Sequence, residues 1–502
     1  MLRVLYQSEE VLPLLASEKK SSNEVNVGEQ VIAYPIAVIF VLISKFLEAL
    51  GANGIRTVLA LYLRDDLYVS ESLATIILHI FNFFSQFCPI FGAILADSYI
   101  GNVKSISFFF VLYAFGWIGL FATSFPVPVS VILPVIVSLL FIATGNGSIR
   151  ACVTSLGALQ FRLPEQSDDL AKYFSHYYFA YYAGIFLSKI LPPSIRSHTK
   201  CFGKSDCYPA VFGTLALIFF TSWMVFLYGK LYYRREYPAQ ENIVLRVCGC
   251  MKHAIRTRLS GVNLNKAHWL DYSVDKYDVQ FVEDVKQLIK VAQLFLPLPI
   301  YWAMLAQQDS SWTFQATQMN TQILGYRLEP DQAKAMGPIF LFTLIPLWQY
   351  LVYPVLNRCG IFIHPLHSVA IGGLCSAFSF IFSGFLQVQI ENSPPQTLHI
   401  IWQAPQFMML MLGELFLSIP GLQFAFTQAP ASMKSVLTAS WFVNNAVGNL
   451  IVVAITEFKF VNLQSSEYFI YAIMMFASMI VFTIMACDYI KSRISPTPSD
   501  NP

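Results

Sequence analysis

Three ionisable side chains, Lys45, Glu48 and Arg56, stand in a stretch that is otherwise apolar enough for hydrocarbon, with YPIAVIFVLIS before it and TVLALYL after it. A charge near the centre of a bilayer costs at least about 2.5–3.5 kcal/mol, so such residues turn toward a protein interior or a watery cavity. Three of them in one span point to a polar pathway rather than a lipid anchor. Lys45 and Glu48 lie three residues apart, on one helix face and within pairing distance. Glu414 is a lone carboxylate inside a second apolar run, MMLMLGELFLSI. It reads either as a functional group facing a cavity or as a carboxyl bonded to a neighbouring helix. Cys201 and Cys207, in KCFGKSDCYP, are spaced to close a short loop as a disulfide or to remain two free thiols.

The elements that must carry these groups are membrane helices. The chain has 502 residues, 56% hydrophobic and 12% charged, with a mean hydropathy of +0.55. Soluble domains carry roughly 25% charged residues, so apolar spans must recur along most of this length. The net charge of +2 gives no footing for nucleic acid, and neither a Gly-rich phosphate loop nor zinc-type Cys/His spacing occurs. No cofactor or metal site is expected, and nothing suggests an enzyme.

Windows of about twenty apolar residues fall at 34–63, 72–96, 105–124, 130–150, 172–191 and 208–229. A second set falls at 287–308, 336–355, 365–388, 399–420, 432–455 and 467–489. About twelve spans in two sixes, divided by a polar segment, is the layout of major facilitator transporters. The expected fold is an all-α membrane protein: a cytoplasmic tail 1–33, a six-helix bundle 34–229, a basic linker 230–286, a second six-helix bundle 287–490 and a tail 491–502. Positive charge collects in the linker, at Lys230, Arg234, Arg235, Arg246, Lys252, Arg256, Arg258, Lys266, Lys276 and Lys286. Basic loops stay on the cytoplasmic side, which puts both termini inside and the Cys201–Cys207 loop outside. Asn146-Gly-Ser fits a glycosylation sequon but lies within the fourth span. The first 33 residues lack the apolar core of a signal peptide. Their EVLPLL matches an acidic-dileucine sorting pattern or is merely a few apolar residues in a tail.

Several segments resemble the proton-coupled oligopeptide transporter family of the major facilitator superfamily, most closely its animal di- and tripeptide transporters. They are GAILADSYIGNVKSI (92–106), FRLPEQSDDLAKYFSHYYFAYYAG (161–184), LPLPIYWAMLAQQDSSWTFQAT (296–317) and IWQAPQFMMLMLGELFLSIPGLQFAFTQAPASMKSVLTASWF (401–442). The last, with GE, QAP and MKSV in place, is the most specific. The outer loop between spans nine and ten is only QIENSPPQTL, where mammalian members carry a large ectodomain.

The resemblance implies secondary transport of short peptides or peptide-like solutes, with protons as the coupling ion. It makes Arg56, Arg150, Trp302 and Glu414 the substrate-binding candidates: the two guanidiniums for the peptide carboxylate, Glu414 for the amine, Trp302 as a pocket lining. It makes His79, Glu48 and Glu414 the proton-coupling candidates, since an imidazole exchanges a proton at physiological pH. Pro405, which would bend span ten, Gln406 and Phe407 match a family run. The plasma membrane is the family's default location, and the tail motif keeps endosome or lysosome open. The lipid bilayer is the one partner implied besides the substrate.

The first-helix motif departs from the family. A pattern of roughly E-x-x-E-R-F-x-Y-Y-G reads K-F-L-E-A-L-G-A-N-G here: Lys45 replaces a carboxylate, Ala49 an arginine, Ala52 and Asn53 the tyrosines. The span-five asparagine is Tyr182 and the span-seven aspartate Ala306, which leaves Lys290 without that partner. Two other readings therefore stand beside symport: an uncoupled facilitator or carrier of another solute on the same fold, and a transport-dead scaffold or sensor.

Overall fold

The computed structural model describes residues 34–494 apart from 127–130, 163–165, 235–242, 261–265, 267, 324, 359–363, 429–433 and 459–462. The tail 1–33 with its dileucine pattern, Arg235 and the end of the C-terminal tail lie outside the described residues. The rest is almost wholly helical. Helix α1 (Ile36–Leu61) carries Lys45, Glu48 and Arg56 on its buried side and runs into a π turn, Tyr62–Asp66. The hydroxyl of Ser70 caps α2 (Glu71–Phe87) by accepting from the Leu73 amide at 3.3 Å. Pro89, unable to donate to the preceding turn, opens α3 (Pro89–Leu95). Then come α4 (Asn102–Thr123), α5 (Ile132–Ala158), α6 (Ser167–His198) and α7 (Tyr208–Gly229).

The linker is more ordered than a polar segment implies. It holds a 17-residue helix, α8 (Ile243–Leu259), and a 3₁₀ turn, Trp269–Ser273, whose core residues Val247, Cys250, Ala254 and Leu270 are buried. Burial alone would raise the Asp271 carboxyl, but the Lys286 ammonium at 2.6 Å and the His268 amide at 3.0 Å hold it below the usual carboxylate range. That contribution is present above the unfolded-state value and is lost as pH falls through the depressed one, in the acid range below about 4.

The second half follows as α9 (Val279–Gln293), α10 (Pro299–Ala306) and α11 (Ser311–Thr317). Next come a hairpin of β1 (Gln322–Ile323) with β2 (Tyr326–Arg327), Gln322 opposite Arg327, then α12 (Met336–Leu347) and α13 (Tyr353–Arg358). The chain ends with α14 (Pro365–Glu391), α15 (Ala404–Gln428), α16 (Lys434–Phe458) and α17 (Gln464–Ile494). Among the described residues ten helices are long and apolar enough to cross a membrane. The remaining two spans expected from the sequence are occupied by α6, whose acidic start and Lys189 and Arg196 lower its hydropathy, and by the broken run α9–α10–α11.

Three local expectations change. Span seven is interrupted at residues 294–298, because Pro297 and Pro299 cannot continue a helix. Span five extends seven residues past 191 to His198, through Pro192 and Pro193. Pro405 does not bend span ten: it lies in the first turn of α15, where its missing N–H is harmless, and the internal proline is Pro420.

Buried apolar side chains form two cores. One draws on residues 37–233 together with Phe314, the other on residues 247–486. The halves meet where α2 packs on α16. Within the first half, Gly184 of α6 lets α1 approach closely: a Cβ there would stand 2.7 Å from the Phe46 carbonyl oxygen. That crossing brings Tyr181 over the Lys45 ammonium, 4.9 Å from nitrogen to ring centre.

Candidate functional site

The charged groups of α1 are tied into one buried chain of contacts. Lys45 Nζ donates to Glu48 Oε2 at 2.7 Å, with both side chains at least 95% buried. The other carboxylate oxygen, Oε1, accepts from Asn146 Nδ2 of α5. Asn146 Oδ1 accepts from Ser85 Oγ of α2 at 3.1 Å, and Ser85 Oγ accepts from Arg56 Nη2 at 2.6 Å. Arg56 also donates through Nε to Asn82 Oδ1 at 2.9 Å and through Nη1 to Asn53 Oδ1 at 3.2 Å. Burial requires this satisfaction, since an unpaired charge removed from water is expensive. The consequence is functional. Glu48 takes up a proton only by stranding the Lys45 ammonium, whereas the guanidinium of Arg56 has five N–H groups and the contacts above commit three. Asn146, which the sequence offered only as a sequon, is 1% exposed and is the hinge of this network.

Arg150, one turn beyond on α5, is held less completely. Its Nη1 donates to Gln86 Oε1 at 2.8 Å, while Nε is buried with no partner among the described residues. Glu414 of α15 is half-buried and makes no hydrogen bond or ion pair among the described residues. It lies within electrostatic reach of Tyr182, from the opposite half, and of Tyr301, whose hydroxyl lies 3.1 Å from Ser418 Oγ. The first half thus carries a cation with a spare donor, and the second a carboxylate with no hydrogen bond or ion pair among the described residues. Trp302 is 8% exposed and packs edge-on against Tyr301 and Trp441, with ring centres 5.2 and 5.6 Å apart. Gly448 of α16 admits it, since a Cβ there would stand 2.7 Å from Trp302 Cβ. Gln406 is buried and donates to Gln315 Oε1 at 3.0 Å, and Phe407 meets Trp312 edge-on. Lys290 is exposed.

His79 is fully buried and joins the two halves. Its Nδ1 lies 2.9 Å from Asn449 Oδ1 of α16, and its Nε2 lies 3.0 Å from Ser310 Oγ. Asn449 Nδ2 donates to the Asn445 carbonyl at 3.0 Å, so Oδ1 faces the ring and Nδ1 carries the proton in the arrangement this network favours. Gln307 Oε1 lies 3.0 Å from the same Ser310 Oγ, whose single proton serves either it or an unprotonated Nε2.

Further joins cluster toward the end of the molecule that holds the Cys201–Cys207 disulfide (Cα–Cα 5.3 Å). Lys189 of α6 pairs with Asp309 at 3.3 Å, and Lys334, buried before α12, donates to the Thr57 carbonyl at 3.0 Å. Arg196 of α6 pairs with Glu329 at 2.9 Å and Asp331 at 3.1 Å. The sequence did not single these residues out, because their partners lie more than a hundred positions away and no spacing rule links them. Replacing Asn449 with alanine removes the acceptor for a buried imidazole N–H, a loss of about 1–3 kcal/mol from the join. The expected outcome is faster labelling by a membrane-impermeant thiol reagent of a cysteine introduced beside Ser310. Labelling at the wild-type rate would remove His79 from this closure.

No group of His, Cys, Asp and Glu among the described residues could hold a metal ion.

The family model described as the POT family matches residues 103–468. The chain is 27% identical to Peptide transporter family 1 of Drosophila melanogaster, over 91% of this chain and 88% of that one. It is 33% identical to Solute carrier family 15 member 2 of Oryctolagus cuniculus, over 78% of this chain but only 54% of the relative, about half its length. The crystal structure of the POT family transporter PepTSo superposes with a TM-score of 0.81 at 22% identity, covering 92% of this chain and 99% of that one. At that identity the likeness carries the fold, two bundles of membrane helices of the major facilitator type.

Proposed function

The chain belongs to the POT family, and from that premise we propose that it carries short peptides or peptide-like solutes across a membrane by alternating access. What supports this reading is a cation in one half and a carboxylate in the other, each with an atom that has no partner among the described residues. Arg150 has a buried, unpartnered Nε, and half-buried Glu414 has no partner among the described residues. A zwitterion of suitable length answers both: its carboxylate accepts from Arg150 and its ammonium donates to Glu414, each a charge-assisted bond. Arg56 supports the cationic end from its network, and Trp302 closes the wall beside Tyr301. Groups fixed at a set separation select a zwitterion by its length.

The two halves are the bundles 34–229 and 287–490, rocking about this site with the linker 230–286 between them. In this conformation the joins at the disulfide end, His79 with Ser310 and Asn449, Lys189 with Asp309, and Arg196 with Glu329 and Asp331, hold that side shut. The basic linker supports a cytoplasmic position for the opposite end and both termini, and a disulfide suits an oxidising outer face. The plasma membrane is the location proposed.

Proton coupling is proposed to pass through His79 and Glu414 rather than Glu48. A protonated His79 donates to both Asn449 and Ser310, which leaves the Ser310 proton for Gln307. A neutral His79 takes that proton for its own Nε2, and the Gln307 bond is lost. Both joins from His79 to the second half persist in either state, and what deprotonation changes is the Ser310–Gln307 bond inside that half. Both carboxylate oxygens of Glu48 are already engaged, by Lys45 and by Asn146. Labelled dipeptide uptake into proteoliposomes, with and without an inward-acid gradient, tests this. Faster initial uptake with the gradient is expected; uptake indifferent to it would leave an uncoupled facilitator on the same scaffold.

A further inference from the structure

Helix α8 in the linker carries a surface that peptide transport does not use. Its buried face, Val247, Cys250 and Ala254, packs against the second core with Leu270, Phe281 and Val282. A second face is apolar and exposed. Cys248, Ile255 and Leu259 follow one another at spacings of seven and four, one side of a helix. Ile255 is 48% and Leu259 81% exposed, and Cys248 is exposed too. Lys252 lies within this stripe, four residues after Cys248 and three before Ile255, and Arg256 and Arg258 flank it, all exposed and without an ion pair among the described residues. The helix contains no Asp or Glu in its 17 residues.

Water is a poor partner for the stripe, and a free basic edge needs anions. The position of α8 supplies both. The membrane helix α7 ends at Gly229 and the broken span resumes at Val279, so the linker between them lies at one membrane surface. An amphipathic helix with an apolar flank and a basic rim rests in the interface, its apolar side chains among the acyl chains and its cations among the headgroups. Lysine and arginine reach such headgroups while their stems stay on the apolar side.

We propose that α8 is a membrane-surface element that inserts Cys248, Ile255 and Leu259 into the inner leaflet and binds anionic phospholipid headgroups through Lys252, Arg256 and Arg258. Because its other face is part of the second core, lipid bound there holds the second bundle against the leaflet and makes bundle motion sensitive to lipid charge.

Cys248 provides the probe. In the full chain, with Cys359→Ser, Cys375→Ser and Cys487→Ser, a nitroxide on Cys248 is compared with one at Arg256→Cys in a Cys248→Ser background. Both are read by collision with oxygen and with a water-soluble nickel chelate. Vesicles are phosphatidylcholine alone or phosphatidylcholine with phosphatidylserine. The Cys248 label should collide with oxygen and exclude nickel, the Arg256 label the reverse. Phosphatidylserine should deepen the Cys248 label, and that shift should vanish in Lys252→Gln/Arg258→Gln, whose label stays in the leaflet. Equal nickel access at both sites would overturn the proposal. So would a Cys248 label shielded from both reagents with spin–spin broadening, which would assign the stripe to a second copy of the chain. A serine-independent depth would overturn the headgroup contact.

Discussion

Replacing Glu414 with glutamine should lower dipeptide uptake at limiting substrate by about 30-fold or more. Truncating one partner of a buried charged contact costs about 2–5 kcal/mol, and 1.4 kcal/mol is about tenfold. Glu414 is half-buried, which places it at the lower end of that range. The protein should fold as well as the wild type, because no ion pair among the described residues depends on this carboxylate and a neutral amide is easier to bury. Initial rates in proteoliposomes, normalised to reconstituted protein, measure the first effect, and thermal unfolding in detergent the second. Undiminished uptake would remove Glu414 from the site. Diminished uptake with a matching loss of stability would make it a structural residue instead.

The Lys45–Glu48 pair should behave in the opposite way. Glu48→Gln keeps an oxygen for Asn146 but leaves a 3%-exposed ammonium without its counter-ion, and breaking one side of a buried pair costs about 3–5 kcal/mol. Adding Lys45→Met removes the stranded charge, and the double variant should recover most of the stability, since a buried pair replaced by uncharged groups is often close to neutral. The double variant should also keep its response to a pH gradient, because the proposed coupling runs through His79 and Glu414 and the oxygens of Glu48 are engaged by Lys45 and Asn146. A double variant as stable as the wild type but indifferent to the gradient would return Glu48 to the coupling mechanism.

The spans were legible because hydrocarbon imposes one length and one composition on them. That signal was weakest where the site is richest. The membrane helix α6, with Lys189 and Arg196, and the run broken at Pro297 and Pro299 fall short of an apolar span. The apolar windows 172–191 and 287–308 marked them all the same, with bounds that the structure shifts. Contacts local in sequence were readable: Lys45 and Glu48 meet as a three-residue spacing implies. Contacts between distant helices were not. Asn146 looked like a spurious sequon, and Asp309, Lys334 and Asn449 looked like nothing at all, because each acquires its role from a partner brought close only by the fold. The linker helix escaped notice for another reason, since half-apolar and strongly basic windows resemble solvated loop. The replacement of an aspartate by Ala306 was visible, but not that Asp309, three residues on, meets Lys189 across the join and Lys334 within its own half.

The account turns on one peptide spanning Arg150 and Glu414. Its most direct test is a binding cycle by isothermal titration of a free dipeptide, its C-terminal amide and its N-acetyl form. Each is titrated into the wild type, Arg150→Gln and Glu414→Gln. Amidation should weaken binding to the wild type but add nothing in Arg150→Gln, and acetylation should weaken the wild type but add nothing in Glu414→Gln. Penalties of equal size in all three proteins would contradict the assignment of the two ends.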